Sequence, residues 1–207
     1  MSRGTTPPVE NAVRHTAIIR EPVDMFSKLA WDADVFREIQ IDYPDEPEPL
    51  AFAAINVCIS AWSLRNWTES VFAKQQRAAG RDYDNKAFRD TILAAIPEQA
   101  ACDSIANTAK HATLGEGAWP GGRVDLEWQE GDEDAPPGYV LLHRTRNCEL
   151  GFAVNRFASL CDHWWAFLRQ LGMTVGHERL PDWQQRKLNR IFGRHSSNDT
   201  VEPDQKM

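Results

Sequence analysis

The sequence predicts a mainly α-helical protein, a helical bundle of about five main helices with one inserted β-hairpin. Three observations carry this. Apolar residues recur at helical spacing over long stretches, as helices with a buried face require. Gly, Pro and acidic clusters separate those stretches, stopping one helix and starting the next. One segment, near residues 123–146, instead alternates apolar and polar positions, the period of a half-buried strand.

Residues 1–21, with Thr-Thr-Pro-Pro near their start, are expected to form a mobile N-terminal arm. A first helix runs from an N-cap at Asp24 to about Gln40 on the stripe Phe26, Leu29, Ala33, Phe36, Ile39. Three prolines and three acids within 43–49 break it and open the next. The second helix, about 49–79, is apolar in nearly every direction through Phe52, Ile55, Val57, Cys58, Trp62, Leu64 and Phe72, which marks a buried central helix. Gly80 ends it. Asp84 caps a third helix to Ile96, and Pro97 suits the first turn of a fourth, running to His111 or Leu114. Val124, Leu126 and Trp128 alternate in one strand, Tyr139–Arg144 forms its partner, and the acidic turn between them is expected to be exposed. A large helix over 151–171 and a short amphipathic one over 181–192 complete a single helical domain, 22–192, and 193–207 read as a disordered polar tail.

The 42% of hydrophobic residues suffices for one sizeable core in 207 residues. A net charge of −7 argues against a broad nucleic-acid surface, because phosphate binding draws on Lys and Arg. The basic run Arg179, Arg186, Lys187, Arg190, Arg194 reads as a solvated helix face or as a local cleft. Four cysteines lie far apart with no C-x-x-C spacing, so neither a disulfide framework nor a zinc knuckle is implied. Cys58, Cys102 and Cys161 sit in apolar helical stretches as small hydrophobes. With a polar Met1–Pro8 and no membrane-length apolar run, the expected compartment is the reducing cytoplasm, with no membrane partner. Phosphate-loop, dinucleotide, hydrolase-elbow and zinc-protease motifs do not occur, and no cofactor or metal is expected.

Chemistry is suggested by polar stripes on two apolar helices. Asn56, Ser60 and Ser63 share a face of the second, and Asp103, Asn107 and His111, with Lys110 adjacent, follow four-residue spacing on the fourth. If the two stripes face each other they gather amide, hydroxyl, carboxylate and imidazole in one cleft. The alternatives are a hydrogen-bonded core network that fixes helix register, or a solvent-facing fourth-helix stripe. His111 lies near a helix C-terminus, where the dipole favours its charged form. Arg156 and His163, seven apart on one helix face, are a second pair; the alternative is a surface Arg beside a core His.

Asn107, three residues and then His111 on a late helix resembles the active-site motif of HEPN-type domains, helical bundles that often cleave RNA in toxin and defence systems. The resemblance implies roles for Asn107 and His111 at a scissile phosphate, with Asp103 orienting. The arginine of that motif is Ala106 here. The runs at 61–67 and 105–111 are also similar to bacterial helical proteins of no assigned activity. The expectation is therefore a HEPN-like bundle, degenerate as a nuclease, that binds RNA or a phosphate-containing ligand through Asn107, Lys110 and His111, with Asn56, Ser60 and Ser63 as further contacts. The alternative is a non-catalytic interaction protein, a homodimer or docked on a protein partner, whose polar stripes are structural.

Overall fold

The computed structural model describes residues 15–112, 119–133, 136–174 and 182–193. The elements are α1 (Pro22–Asp42), α2 (Pro47–Ala78), α3 (Asn85–Ala95), α4 (Gln99–His111), β1 (Arg123–Gln129), β2 (Gly138–Arg144), β3 (Glu149–Phe152), α5 (Ala153–Gln170) and α6 (Asp182–Ile191). The fold is mainly α with a small antiparallel sheet inserted between α4 and α5. None of the described helices is long and apolar enough to cross a membrane.

Local chemistry sets the helix ends. Pro22 takes the first position of α1, so Asp24 is not the N-cap but lies a turn inside, where its Oδ2 accepts the backbone N–H groups of Arg20 (2.8 Å) and Glu21 (3.2 Å). Asp84 does cap α3, accepting the Ala87 N–H at 3.1 Å. Gly80 closes α2 at φ +68°, a conformation that costs glycine nothing. Pro97 stands just outside α4, which begins at Gln99 and ends at His111.

α1, α2, α4 and α5 enclose the core. Phe26, Leu29 and Phe36 of α1 meet Val57, Ala61 and Leu64 of α2 and Phe157, Leu160 and Trp164 of α5. Phe36 and Phe157 pack edge to face with ring centres 5.1 Å apart. Cys58, Cys102 and Cys161 are buried free thiols, as the sequence implied, while Cys148 is exposed. A hydrogen bond with Cys58, then burial, holds the Cys102 thiol well above its ordinary pKa. The expectation of all-round burial fails at one end of α2, where Phe52 is 64% exposed and Asn56 lies beside it in solvent.

The sheet has the order β1-β2-β3, with Val124 opposite His143, Leu126 opposite Leu141 and Trp128 opposite Tyr139. β3 pairs Phe152 with Leu142 across an irregularity at His143/Arg144. This third strand is additional to the expected hairpin; at four residues it is too short for alternation to register. The Tyr139 N–H donates to the Pro44 carbonyl at 2.7 Å, fastening the sheet to the α1–α2 connection. In the acidic turn, Glu130, Asp132 and Glu133 are exposed. On α6, Leu188 is fully buried while Arg186, Lys187 and Arg190 face solvent. Arg179, Arg194 and most of the expected arm and tail lie outside the described residues.

Candidate functional site

Helical geometry decides where each stripe residue goes. Successive residues are about 100° apart, so four-residue spacing drifts by about 40° per step. Asp103 lies half-buried against α2, while Asn107 and His111 drift outward into solvent. Lys110, seven residues beyond Asp103, returns to its line and sets its ammonium 3.2 Å from the centre of the Trp62 ring. Burial, then the Arg65 charge, lowers the Lys110 pKa.

Asp103 is the hub of a closed network. Its Oδ1 accepts from Gln99 Nε2 at 2.8 Å and its Oδ2 is ion-paired with Arg65 Nη1. The fully buried Gln99 in turn accepts the Trp164 indole N–H at 2.8 Å. Arg65 also lies 3.6 Å from Glu69, which receives Arg89 at 3.2 Å. Burial raises the Asp103 pKa, opposed first by the charge of Arg65 and then by hydrogen bonds from Gln99 and Arg65. This chain ties α2, α4 and α5 into register and engages both carboxylate oxygens of Asp103.

The α2 stripe turns the other way. Cys58 and Arg65 meet α4, and Ser60 is about 200° around the helix from Cys58. Ser60, 1% exposed, therefore faces α1, where its hydroxyl donates to Asp32 at 2.5 Å and accepts from Lys28 at 3.1 Å. Ser63 donates to the Ile59 carbonyl of its own helix at 2.8 Å, and Asn56 is exposed. The two stripes form no hydrogen-bonded cleft. Spacing fixed which residues share a face but not which neighbour that face meets. Ala106, standing where the HEPN motif has arginine, is fully buried in the core.

Arg156 and His163 do not meet either. His163 pairs with Glu98 at 2.9 Å, whereas Arg156 donates from Nε to His143 Nδ1 at 3.2 Å. His143 is 2% exposed, between the rings of Trp119 and Phe157. Burial, then the Arg156 charge, lowers its pKa to about 4, so it is neutral at pH 7.

The openings lie elsewhere. β1 has a neighbour on one side only among the described residues. Its inward row, Val124, Leu126 and Trp128, is 38%, 42% and 44% exposed, although it faces the helix side together with buried Leu141 and His143. Beside it, where α2, α4 and β1 converge, is a cavity of about 310 Å³ walled by Ile55, Ile105, Ala109, Trp119 and Val124. Trp119 is buried and its indole N–H has no hydrogen-bond partner among the described residues. The polar stripes lie away from this region; its signal in the sequence is Trp119 followed closely by two glycines. Among the described residues no cluster of His, Cys, Asp or Glu is suited to a metal ion.

No protein-family model matches the chain, and no curated protein or solved structure gives a significant match.

Proposed function

We propose that the chain is a non-catalytic interaction protein that takes up an extended, basic segment of a partner protein along the free edge of β1. One observation carries the reading: a seven-residue edge strand keeps a row of three apolar side chains more than a third exposed. An edge strand offers unpaired main-chain donors and acceptors, and natural proteins commonly blunt such edges. An added strand would satisfy the main chain and cover the apolar row, the logic of recognition by strand addition. Charge favours a basic partner. Asp125, Glu127 and Glu149 gather around Arg144, with Arg123 also on Asp125, and Glu130, Asp132 and Glu133 follow in the turn. A second copy is disfavoured by the same side chains. The antiparallel register that opposes all three apolar residues, Leu126 to Leu126, sets Asp125 against Glu127 twice, and like charges directly opposite are destabilising.

The test is fluorescence anisotropy with a short labelled peptide alternating Lys and Val, and with its sequence-shuffled twin. Saturable binding of the alternating peptide that is lost in Leu126→Lys and Trp128→Glu supports strand addition. Equal binding of both peptides, or binding indifferent to the two substitutions, contradicts it.

A second reading retains the HEPN-like expectation: RNA or a phosphate-containing ligand held by Asn107, Lys110 and His111. It is favoured by the exposure of all three side chains at the C-terminal end of α4, with Lys110 braced on Trp62. Titration with single-stranded RNA at two salt concentrations tests it. Affinity that falls with salt and is lost in Lys110→Ala with His111→Ala supports it; RNA affinity unchanged by both substitutions removes it.

A further inference from the structure

We propose that the cavity where α2, α4 and β1 converge receives one large aromatic side chain of the segment added at β1, from the position opposite Val124. This occupancy rests on strand addition at β1 and narrows the sequence that the edge selects. Residues directly opposite each other in adjacent strands point to the same face of a sheet, with Cβ atoms about 5 Å apart. Val124 lines the cavity, as do Ile105 and Ala109 of α4 and Ile55 of α2. Among the described residues β1 is paired with β2 alone. A strand laid on its other side therefore sets one residue beside Val124, on the face where the helix walls stand.

Size and lining both favour an aromatic, uncharged occupant. The volume is about 310 Å³, well above the roughly 150 Å³ that suffices for a benzene ring. A valine would leave most of that space unfilled. The hydroxyls of Ser104 and Thr108 spend their protons on the Ala100 and Ser104 carbonyls of their own helix, at 3.1 and 2.9 Å. The Arg123 guanidinium is held by Asp125 at 3.0 Å, on the face of β1 opposite Val124. No charged head is therefore called for inside.

The other face of β1 orders the rest of the segment. It carries Asp125 and Glu127, with Glu149 beside them, against Arg123 and Arg144. With the acids of the following turn, this face suits basic residues at the alternate positions of the segment. Antiparallel pairing is the geometry of both existing strand pairs and the more stable one per residue. Val124 lies near the start of β1, so the aromatic residue falls at the C-terminal end of the segment. Set against Trp128 through Val124, the selected pattern is Val-Lys-Val-Lys-Trp.

Fluorescence anisotropy on the full chain tests the assignment with three peptides labelled at the N-terminus. One alternates Lys and Val; the second has Trp in place of its last Val, and the third has Trp in place of its first. The second is expected to bind about tenfold more tightly than the first, and the third no more tightly than the first. Ala109→Phe enlarges an exposed residue of the lining. It should remove the gain from Trp and leave the affinity of the Lys/Val peptide unchanged. Should circular dichroism show that variant misfolded, Thr108→Met takes its place. Binding of the Lys/Val peptide that is lost in Leu126→Lys, with no gain from the last-position Trp, would overturn the aromatic pocket while strand addition stands. No binding of any peptide would overturn both. A gain equal for Trp at either end, or one that survives filling of the chamber, would also overturn the pocket. Self-association of the chain without peptide, abolished by Ala109→Phe, would assign the chamber to a second copy instead.

Discussion

The α2–α4 interface and the margin between α4 and β1 are built from similar ingredients and end in opposite states. At the first, Arg65, Asp103, Gln99 and Trp164 form a hydrogen-bonded chain and the helices close over it, although the buried Arg65 Nε, 3.6 Å from Glu69, has no hydrogen-bond partner among the described residues. At the second, the buried Trp119 N–H has no hydrogen-bond partner among the described residues and three apolar residues of β1 remain open. Charged and polar groups paired across helices fix register; a strand edge with open apolar side chains is where a partner contributes most. The difference moves attention from the polar stripe of α4 to the sheet margin.

The comparison breaks first at Asp103. Asp103→Ala strands a nearly buried guanidinium and the Gln99 amide, and urea denaturation should show a loss of about 3 kcal/mol. A variant as stable as the wild type would mean that the network is decorative. Next is pH. His143 is held neutral in the folded protein to about pH 4, against an ordinary value of 6.5, so the unfolded chain takes up its proton first as pH falls. The stability due to neutral His143 is present above the ordinary value and is lost as pH drops toward 4. Between pH 7 and 5 the loss is about 2 kcal/mol. His143→Gln should remove that part of the pH dependence, and an unchanged slope in the variant would show that the buried imidazole is not its source.

At the margin the expected stability effects are smaller. Asn107→Ala and His111→Ala touch exposed side chains and should each change stability by no more than about 0.5 kcal/mol. A drop of several degrees in melting temperature would place them in a structural network after all. Trp128→Glu should likewise leave the melt nearly unchanged while removing peptide binding, which a combined melt and anisotropy measurement separates.

Much of the fold was legible because periodicity is local. The stripe Phe26, Leu29, Phe36 is the buried face of α1, Asp84 caps α3, and Val124, Leu126, Trp128 alternate as a strand. β3 escaped because four residues carry too little pattern, and Asp24 was displaced from the cap because Pro22 starts the helix earlier. The site was less legible, for a geometric reason. Asp103 stood out, but its partner Arg65 is 38 residues away and nothing local links them. Ser60 has the spacing of a shared face with Asn56, yet that face meets α1, and only tertiary packing decides this. The cavity depends on Trp119 lying over Gly122, a contact that no hydrophobic period encodes.

Amide hydrogen exchange over residues 123–129, with and without the alternating Lys/Val peptide, tests strand addition at β1 most directly. In an antiparallel pair the outward-facing amides recur along the strand at every second residue. Binding at the edge predicts slowed exchange at those alternate positions of β1, with residues 103–111 unaffected. Exchange in β1 that does not change when the peptide binds, or protection that appears at 107–111 instead, would contradict it.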